Sequence, residues 1–282
     1  MICVNKLSDE AMYPQEKFGL IFAGGNGNLA FQLGACQAIV DAGLYGSVQA
    51  AAGASLGGLN ALLFSLDELE LAEKIWLERM PELVQNPPNK KLEKIYSLLQ
   101  MSGLRNLSLE EFLARTQHGI VSSASFDRLV QGADFARVSL VRTCGLALTG
   151  FPNGEEMTVN VLSYPAEMRR VLLSASISLP VLSAPMHFAD GRVYWDGVLT
   201  QPLPINMIYE EAGLRRIVVI HATPTSEIKT SDYPDADIVE IRPPMEEYDL
   251  PGRLDFTKQT QKRRIALGKQ AMQEKIQSGL FR

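Results

Sequence analysis

Basic charge, histidine, cysteine and long apolar runs are all scarce in this chain, and each scarcity removes a class of function. The 282 residues carry 27 Lys and Arg against 32 Asp and Glu, a formal net charge of -5. A general nucleic-acid binder needs a basic face to meet phosphate, so that class is excluded and no nucleic-acid partner is expected. Three cysteines, Cys3, Cys36 and Cys144, are an odd count at scattered positions, which indicates neither a disulfide framework nor a zinc site. A reduced compartment is the default, with no metal and no cofactor expected. No run approaches the ~20 apolar residues that span a bilayer. Asp9, Glu10 and Glu16 lie where a basic segment and apolar core would mark a signal peptide. The expected location is the cytoplasm, with transient membrane contact or signal-less export left open. Only three histidines, His118, His187 and His221, are available as catalytic bases. The 46% hydrophobic content is enough for one large α/β domain, or a domain with a sizeable insertion.

What is present is organised around Gly53-Ala54-Ser55-Leu56-Gly57. It fits G-x-S-x-G, in which flanking glycines permit a sharp strand-to-helix turn that holds a serine hydroxyl above a sheet edge. Val48 to Ala52 reads as a short buried strand and Leu59 to Phe64 as a buried helix, so the helix N-terminus and its free N–H groups face Ser55. Upstream, the buried strand Phe18 to Phe22 runs into Ala23-Gly24-Gly25-Asn26-Gly27-Asn28, followed by a helix from about Leu29 to Ala42 that stops at Gly43. Strand, glycine loop and helix in that order make an anion site. Gly25-x-Gly27-x-x-Ala30 also meets the loose dinucleotide fingerprint, the main rival, but that fold puts an acid where this chain has Ala50-Ala51-Ala52.

Downstream, about Glu68 to Gln131 reads as an all-helical insertion over the catalytic face. Its helices are expected around Leu69 to Leu77, Lys91 to Met101 and, behind the Ser108/Glu111 capping box, Leu109 to Thr116. Met80, Leu99, Met101 and Leu104 are candidates to line an acyl pocket. Strands are expected at Val138 to Leu148 and Met157 to Leu162, and a helix from Pro165 to Ser176. A hairpin from Met186, turning at Asp190-Gly191, delivers Trp195-Asp196-Gly197-Val198. Asn206 to Ala212 reads as a helix, Arg216 to Ala222 as a buried strand, Asp237 to Ile241 as an edge strand and about Phe256 to Gln277 as a basic closing helix. One domain over 1–282 is expected, with its core at about 18–222, the insertion at about 68–131 and the closing helix at about 256–277.

Gly24-Gly25 with its helix, Gly53 to Gly57, and Asp196-Gly197-Val198 together resemble the three blocks of patatin-like phospholipases, in that family's order. Ala30-Phe31-Gln32-Leu33-Gly34, Ser174 to Pro180, Leu254-Asp255-Phe256 and Leu267-Gly268 add to the likeness. The resemblance implies a three-layer α/β/α fold with a mainly parallel central sheet, and a lipid acyl-ester substrate hydrolysed by a Ser–Asp dyad. Ser55 would be the nucleophile and Asp196 its base, with Gly197 shaping the turn and Gly24, Gly25, Asn26 and Gly27 forming the oxyanion loop. A partly desolvated carboxylate has the raised proton affinity such a base needs. The alternatives are a weakly active lipid-binding protein on the same fold, a Ser–His–Asp esterase using His221, and the nucleotide-binding protein. The loop departs from the family pattern, with Asn26 at the third glycine, Asn28 at a basic position and Leu29 at the last glycine. Asn28 is therefore expected either to meet a head group without charge, favouring neutral esters over phospholipids, or to cap the following helix. The sequence sets no oligomeric state.

Overall fold

The computed structural model describes residues 16–25, 27–85, 123–179, 183–189, 191–247 and 255–279. The elements used below are β1 (Phe18–Phe22), α1 (Ala30–Asp41), β2 (Val48–Gly53), α2 (Leu56–Ser65), α3 (Leu69–Lys74), α4 (Met80–Gln85), α5 (Ser123–Leu129), β3 (Thr143–Phe151), β4 (Glu155–Asn160), α6 (Ala166–Ser176), β5 (Met186–His187), β6 (Val193–Asp196), β7 (Arg216–Ile220), β8 (Asp237–Ile241) and α7 (Lys258–Gln277). They form one sheet in the hydrogen-bonded order β5-β6-β3-β2-β1-β7-β8, with β4 also on β3. β1, β2, β3, β7 and β8 are parallel, while β4 and β6 run antiparallel to β3.

β1 is apolar along its whole length because both faces are covered, as expected of a central parallel strand. Phe18, Leu20 and Phe22 belong to the core shared with α1, α2, α6 and α7. Ile21 joins Ala50, Ala52, Ile217 and Val219 in a second, smaller core closed by Ile205, Met207 and Ile208. The result is three layers, the second helical layer being thin. On the thick side α1 and α7 touch through glycine: a Cβ on Gly34 would lie 1.9 Å from the Ile265 carbonyl oxygen, and one on Gly268 would lie 1.8 Å from that of Phe31. Backbone faces backbone at these two positions, and only hydrogen fits at them.

Several boundaries differ from those read in the sequence. α2 begins at Leu56 rather than Leu59, directly after the serine. The strand expected from Val138 starts at Thr143, since pairing with β2 starts there, and Val138 and Leu140 are exposed. It runs on to Phe151 because β4 and β6 both pair with its second half. Of the expected insertion, α3 continues through a π-helical turn, Ile75–Arg79, into α4. Arg79 Nη1 donates to Leu129 O at 2.8 Å and so ties the π-helical turn to α5. Met80 is buried in the core. The helices expected at 91–101 and 109–116, with Leu99, Met101, Leu104 and His118, lie outside the described residues. Among the described residues no helix is long and apolar enough to cross a membrane.

Candidate active site

β3 carries two partners on the same edge. Its first half pairs with β2, ending at Gly53 opposite Leu146, and its second half with β6, whose Asp196 lies opposite Leu148. β4 occupies the other edge throughout, from Gly145 to Gly150. Since β2 runs with β3 and β6 against it, the C-terminal ends of β2 and β6 meet head to head. Gly197 fills the gap between them: its Cβ would lie 2.3 Å from the Ala147 carbonyl carbon. The glycine loop closes on the same point, because a Cβ on Gly24 would lie 2.6 Å from Val198 Cγ2 and 3.3 Å from Ala54 Cβ. Three blocks far apart in the chain are thereby brought into contact.

Ser55 has φ 55° and ψ -137°, a backbone region that costs a non-glycine residue about 1–3 kcal/mol and marks a tight strand-to-helix elbow. Both flanking glycines are required. A Cβ on Gly57 would lie 2.4 Å from Ala23 O, and one on Gly53 2.5 Å from Gly57 O. Helix α2 then starts at once, with Gly58 and Leu59 N–H donating to Ser55 O at 2.8 and 3.3 Å. Ser55 is 2% exposed and Asp196 fully buried.

Asp196 accepts from Val198 N–H through Oδ1 at 2.9 Å. Its other oxygen is buried and makes no geometrically sound hydrogen bond among the described residues. Burial lifts the carboxyl from its ordinary 3.8 to about 7, against the opposing pull of the Ser55 hydroxyl and the Val198 N–H. Ser55 is thus one of the two groups that act against burial at this carboxyl. A carboxylate tuned this way both accepts and returns a proton near neutrality.

The glycine loop is more constrained than its sequence implies. Gly24 N–H donates to Pro202 O at 3.0 Å, so it is not a free oxyanion donor and its lack of a side chain is what matters. Gly25 N–H has no backbone partner among the described residues, and Ala222 leaves no room for a side chain at this position. Gly27 opens a 3-10 turn, Gly27–Leu29, and Asn26 lies outside the described residues. Asn28 departs from both roles read for it. It is 2% exposed and its Nδ2 donates to Ala222 O, so the side chain turns inward to tie the loop to the end of β7. The N-cap of α1 is Leu29, with no side-chain cap.

His221 is also committed elsewhere. Its Nδ1 is 2.7 Å from Ser226 Oγ and its Nε2 2.7 Å from Glu240 Oε2, which in turn pairs with Arg242. Burial and then Arg242 lower its proton affinity, opposed by Glu240. It touches neither Ser55 nor Asp196 by hydrogen bond. His187 sits on the exposed β5 hairpin. Sequence reasoning passed over a further buried set, Gln32, Asn60 and Trp76, beneath the loop. Their signal was available: Asn60 is the one amide in α2, and Gln32, unlike the partly exposed Gln37 of the same helix, sits in the apolar first turn of α1.

A family model for patatin-like phospholipases matches residues 20–209, which takes in all three blocks. Among solved structures, VipD from Legionella pneumophila aligns with a TM-score of 0.50 at 13% identity, over 94% of this chain and 67% of that one. The type III effector ExoU aligns at 0.41 and 14%, over 95% of this chain and 54% of its own. Its complex with SpcU, from Pseudomonas aeruginosa, gives 0.42 and 16%, over 95% and 52%. The chain spans about half the length of ExoU. A search of curated protein sequences finds no significant match. The likeness to VipD is one of fold, a mixed α/β architecture around a mainly parallel sheet, and the match of the family model over more than half of the sequence shows that the chain belongs to the patatin-like phospholipase family.

Proposed function

We propose that the chain is a lipid acyl hydrolase that cleaves carboxylic esters through Ser55 and Asp196. The observation that carries this reading is the head-to-head meeting of β2 and β6, which leaves a buried carboxyl of near-neutral pKa against a serine on a strained elbow. Asp196 takes the proton of Ser55 Oγ as the hydroxyl attacks the ester carbonyl. The oxyanion faces the loop N–H groups from Gly25 onward and the positive end of α2, each donor being worth roughly 3 kcal/mol in comparable sites. Asp196 then protonates the leaving alcohol, and water reverses the sequence to free the acid. His221 supports a dyad over a triad by being bonded to Ser226 and Glu240. With Asn28 turned inward, the reading includes no cation at the loop, and neutral esters are the preferred substrates. The 1–282 chain acts as one domain.

Fluorophosphonate labelling followed by mass spectrometry tests the reading. Modification on the peptide carrying Ser55, abolished in Ser55→Ala, is expected, together with loss of nearly all ester hydrolysis in Ser55→Ala and in Asp196→Asn. The double variant should be no worse than either single one, because the two groups act as a unit. An unlabelled, inactive wild type would leave a lipid-binding protein on the same fold.

A further inference from the structure

Four amide hydrogens are spent beneath the glycine loop, and one indole decides where they point. Trp76 Nε1 donates to Asn60 Oδ1 at 2.8 Å. Indole N–H is a donor only, so Asn60 must present its oxygen there and its Nδ2 to the other side. That Nδ2 donates to Leu29 O at 3.1 Å and to Gln32 Oε1 at 2.9 Å. Gln32 is thereby oriented in turn, and its Nε2 donates to Ala23 O at 2.9 Å and Ile220 O at 3.1 Å. Gln32 and Trp76 are fully buried and Asn60 is 3% exposed, and every polar atom of the three is satisfied.

Ala23 and Leu29 are the residues on either side of the Gly24–Asn28 loop, so the chain of amides clamps both of the loop's ends. Asn60 lies in the second turn of α2, the helix that follows Ser55, and Trp76 in the π-helical turn that joins α3 to α4. π-helical turns recur at functional sites. We propose that Trp76, Asn60 and Gln32 are positioning residues that hold the oxyanion loop at its working distance from the nucleophile elbow, with the π-helical turn between α3 and α4 bearing on that distance through Trp76. None of the three touches the reacting atoms. Reversing either amide would set oxygen against the carbonyls of Leu29, Ala23 or Ile220 in a dry interior, so the arrangement holds a single state.

This inference rests on the proposed hydrolysis for its kinetic consequence, and the test therefore reads the loop directly as well. Trp76→Phe keeps an aromatic ring, though a smaller one, and removes the donor, and Gln32→Met removes both clamps on the strand ends. Tyr45→Phe is the control: its hydroxyl donates at 2.6 Å to Phe64 O, at the far end of α2, so it loses one hydrogen bond of the same helix away from the loop. Hydrogen exchange at the amides of Gly24, Gly25, Gly27 and Asn28 should quicken about tenfold or more in Trp76→Phe and remain unchanged in Tyr45→Phe. kcat on a neutral ester should fall ~10- to 100-fold with KM within twofold, the scale of a misplaced reacting group. Unchanged loop exchange in folded Trp76→Phe, or equal acceleration in Tyr45→Phe, overturns the proposal whether or not the protein hydrolyses esters. Quickened exchange with kcat intact leaves the clamp but overturns its catalytic role. A wild type without activity or Ser55 labelling defeats the hydrolase reading alone, the exchange data still deciding the clamp. Gln32→Met gives the same comparison if Trp76→Phe does not fold.

Discussion

Asp196→Asn should abolish activity and, at alkaline pH, make the protein more stable. Burial moves the folded carboxyl from 3.8 to about 7, a difference of about 3 units and, at 1.36 kcal/mol per unit, at most about 4 kcal/mol. The folded state holds this proton more tightly than the unfolded state does. The stabilisation linked to it is therefore complete below pH ~4, declines as pH rises, and is gone above pH ~7, where a buried carboxylate must be carried uncompensated. Asn is isosteric, keeps an oxygen for the Val198 N–H and has no charge to bury. Its stability relative to wild type should grow by about 3 kcal/mol between pH 5 and 8, on the order of 5–10 °C in melting temperature for a chain of this size. Activity runs the other way. As the base, Asp196 must be ionised, so kcat/KM of wild type should climb about tenfold per pH unit up to ~7 and then level. Thermal melts of both proteins at pH 5 and 8, with a pH–rate profile of wild type on an uncharged ester, measure both slopes. A rate flat across that range, or an Asn variant no better placed at pH 8 than at pH 5, would refute the assignment of Asp196 as a buried base.

Gly34→Ala and Gly268→Ala should each lower the melting temperature by several degrees, since overpacking costs roughly 1–3 kcal/mol and here the added carbon meets backbone. Gly46→Ala, with nothing within 4 Å, should stay within about 0.5 kcal/mol of wild type in the same melts. A folded His221→Gln should lose about 1–3 kcal/mol of stability from the Ser226–Glu240 cluster yet keep ester hydrolysis within a few-fold, measured as kcat/KM against wild type. Asn28→Arg should lower activity on neutral and phospholipid esters together, or fail to fold, because it buries a cation and strips Ala222 O of a donor. A selective gain on phospholipids by a folded Asn28→Arg would contradict the inward placement.

Where burial is continuous the sequence was easy to read. β1, and β7 after Arg216, are unbroken apolar runs, and both motif glycines announce a close approach that the backbone then makes. The order of three blocks picks out Ser55 and Asp196 as candidates, whereas the meeting of the strands that carry them depends on β3 changing partner halfway along. That exchange is a long-range pairing with no local pattern, and the start of β3 was misjudged for the same reason: Val138 and Leu140 are apolar but have no neighbouring strand. Asn28 shows a different limit. Its position in the loop could be counted, but the direction of its side chain depends on Ala222, 194 residues away. The joint role of Gln32, Asn60 and Trp76 is not legible in sequence, because a buried amide reveals its purpose only once its partners are found.

Because β2 and β6 lie end to end along one strand, the spacing of the Ser55 elbow and Asp196 is counted in residues of β3. Gly53 and Asp196 face positions two residues apart, about 6.6 Å of strand. Lengthening the β5–β6 turn, or the segment between α4 and α5, leaves that count alone. Deleting one residue between Gly53's partner and Asp196's would shift the acid by about 3.3 Å and turn it to the opposite face of the sheet. Engineering thus meets a divided molecule: turns outside that span can change length, while β3 is fixed in length and in side chain alike, being buried from Cys144 to Gly150, where a Cβ on Gly145 would lie 2.5 Å from Met207 Cγ.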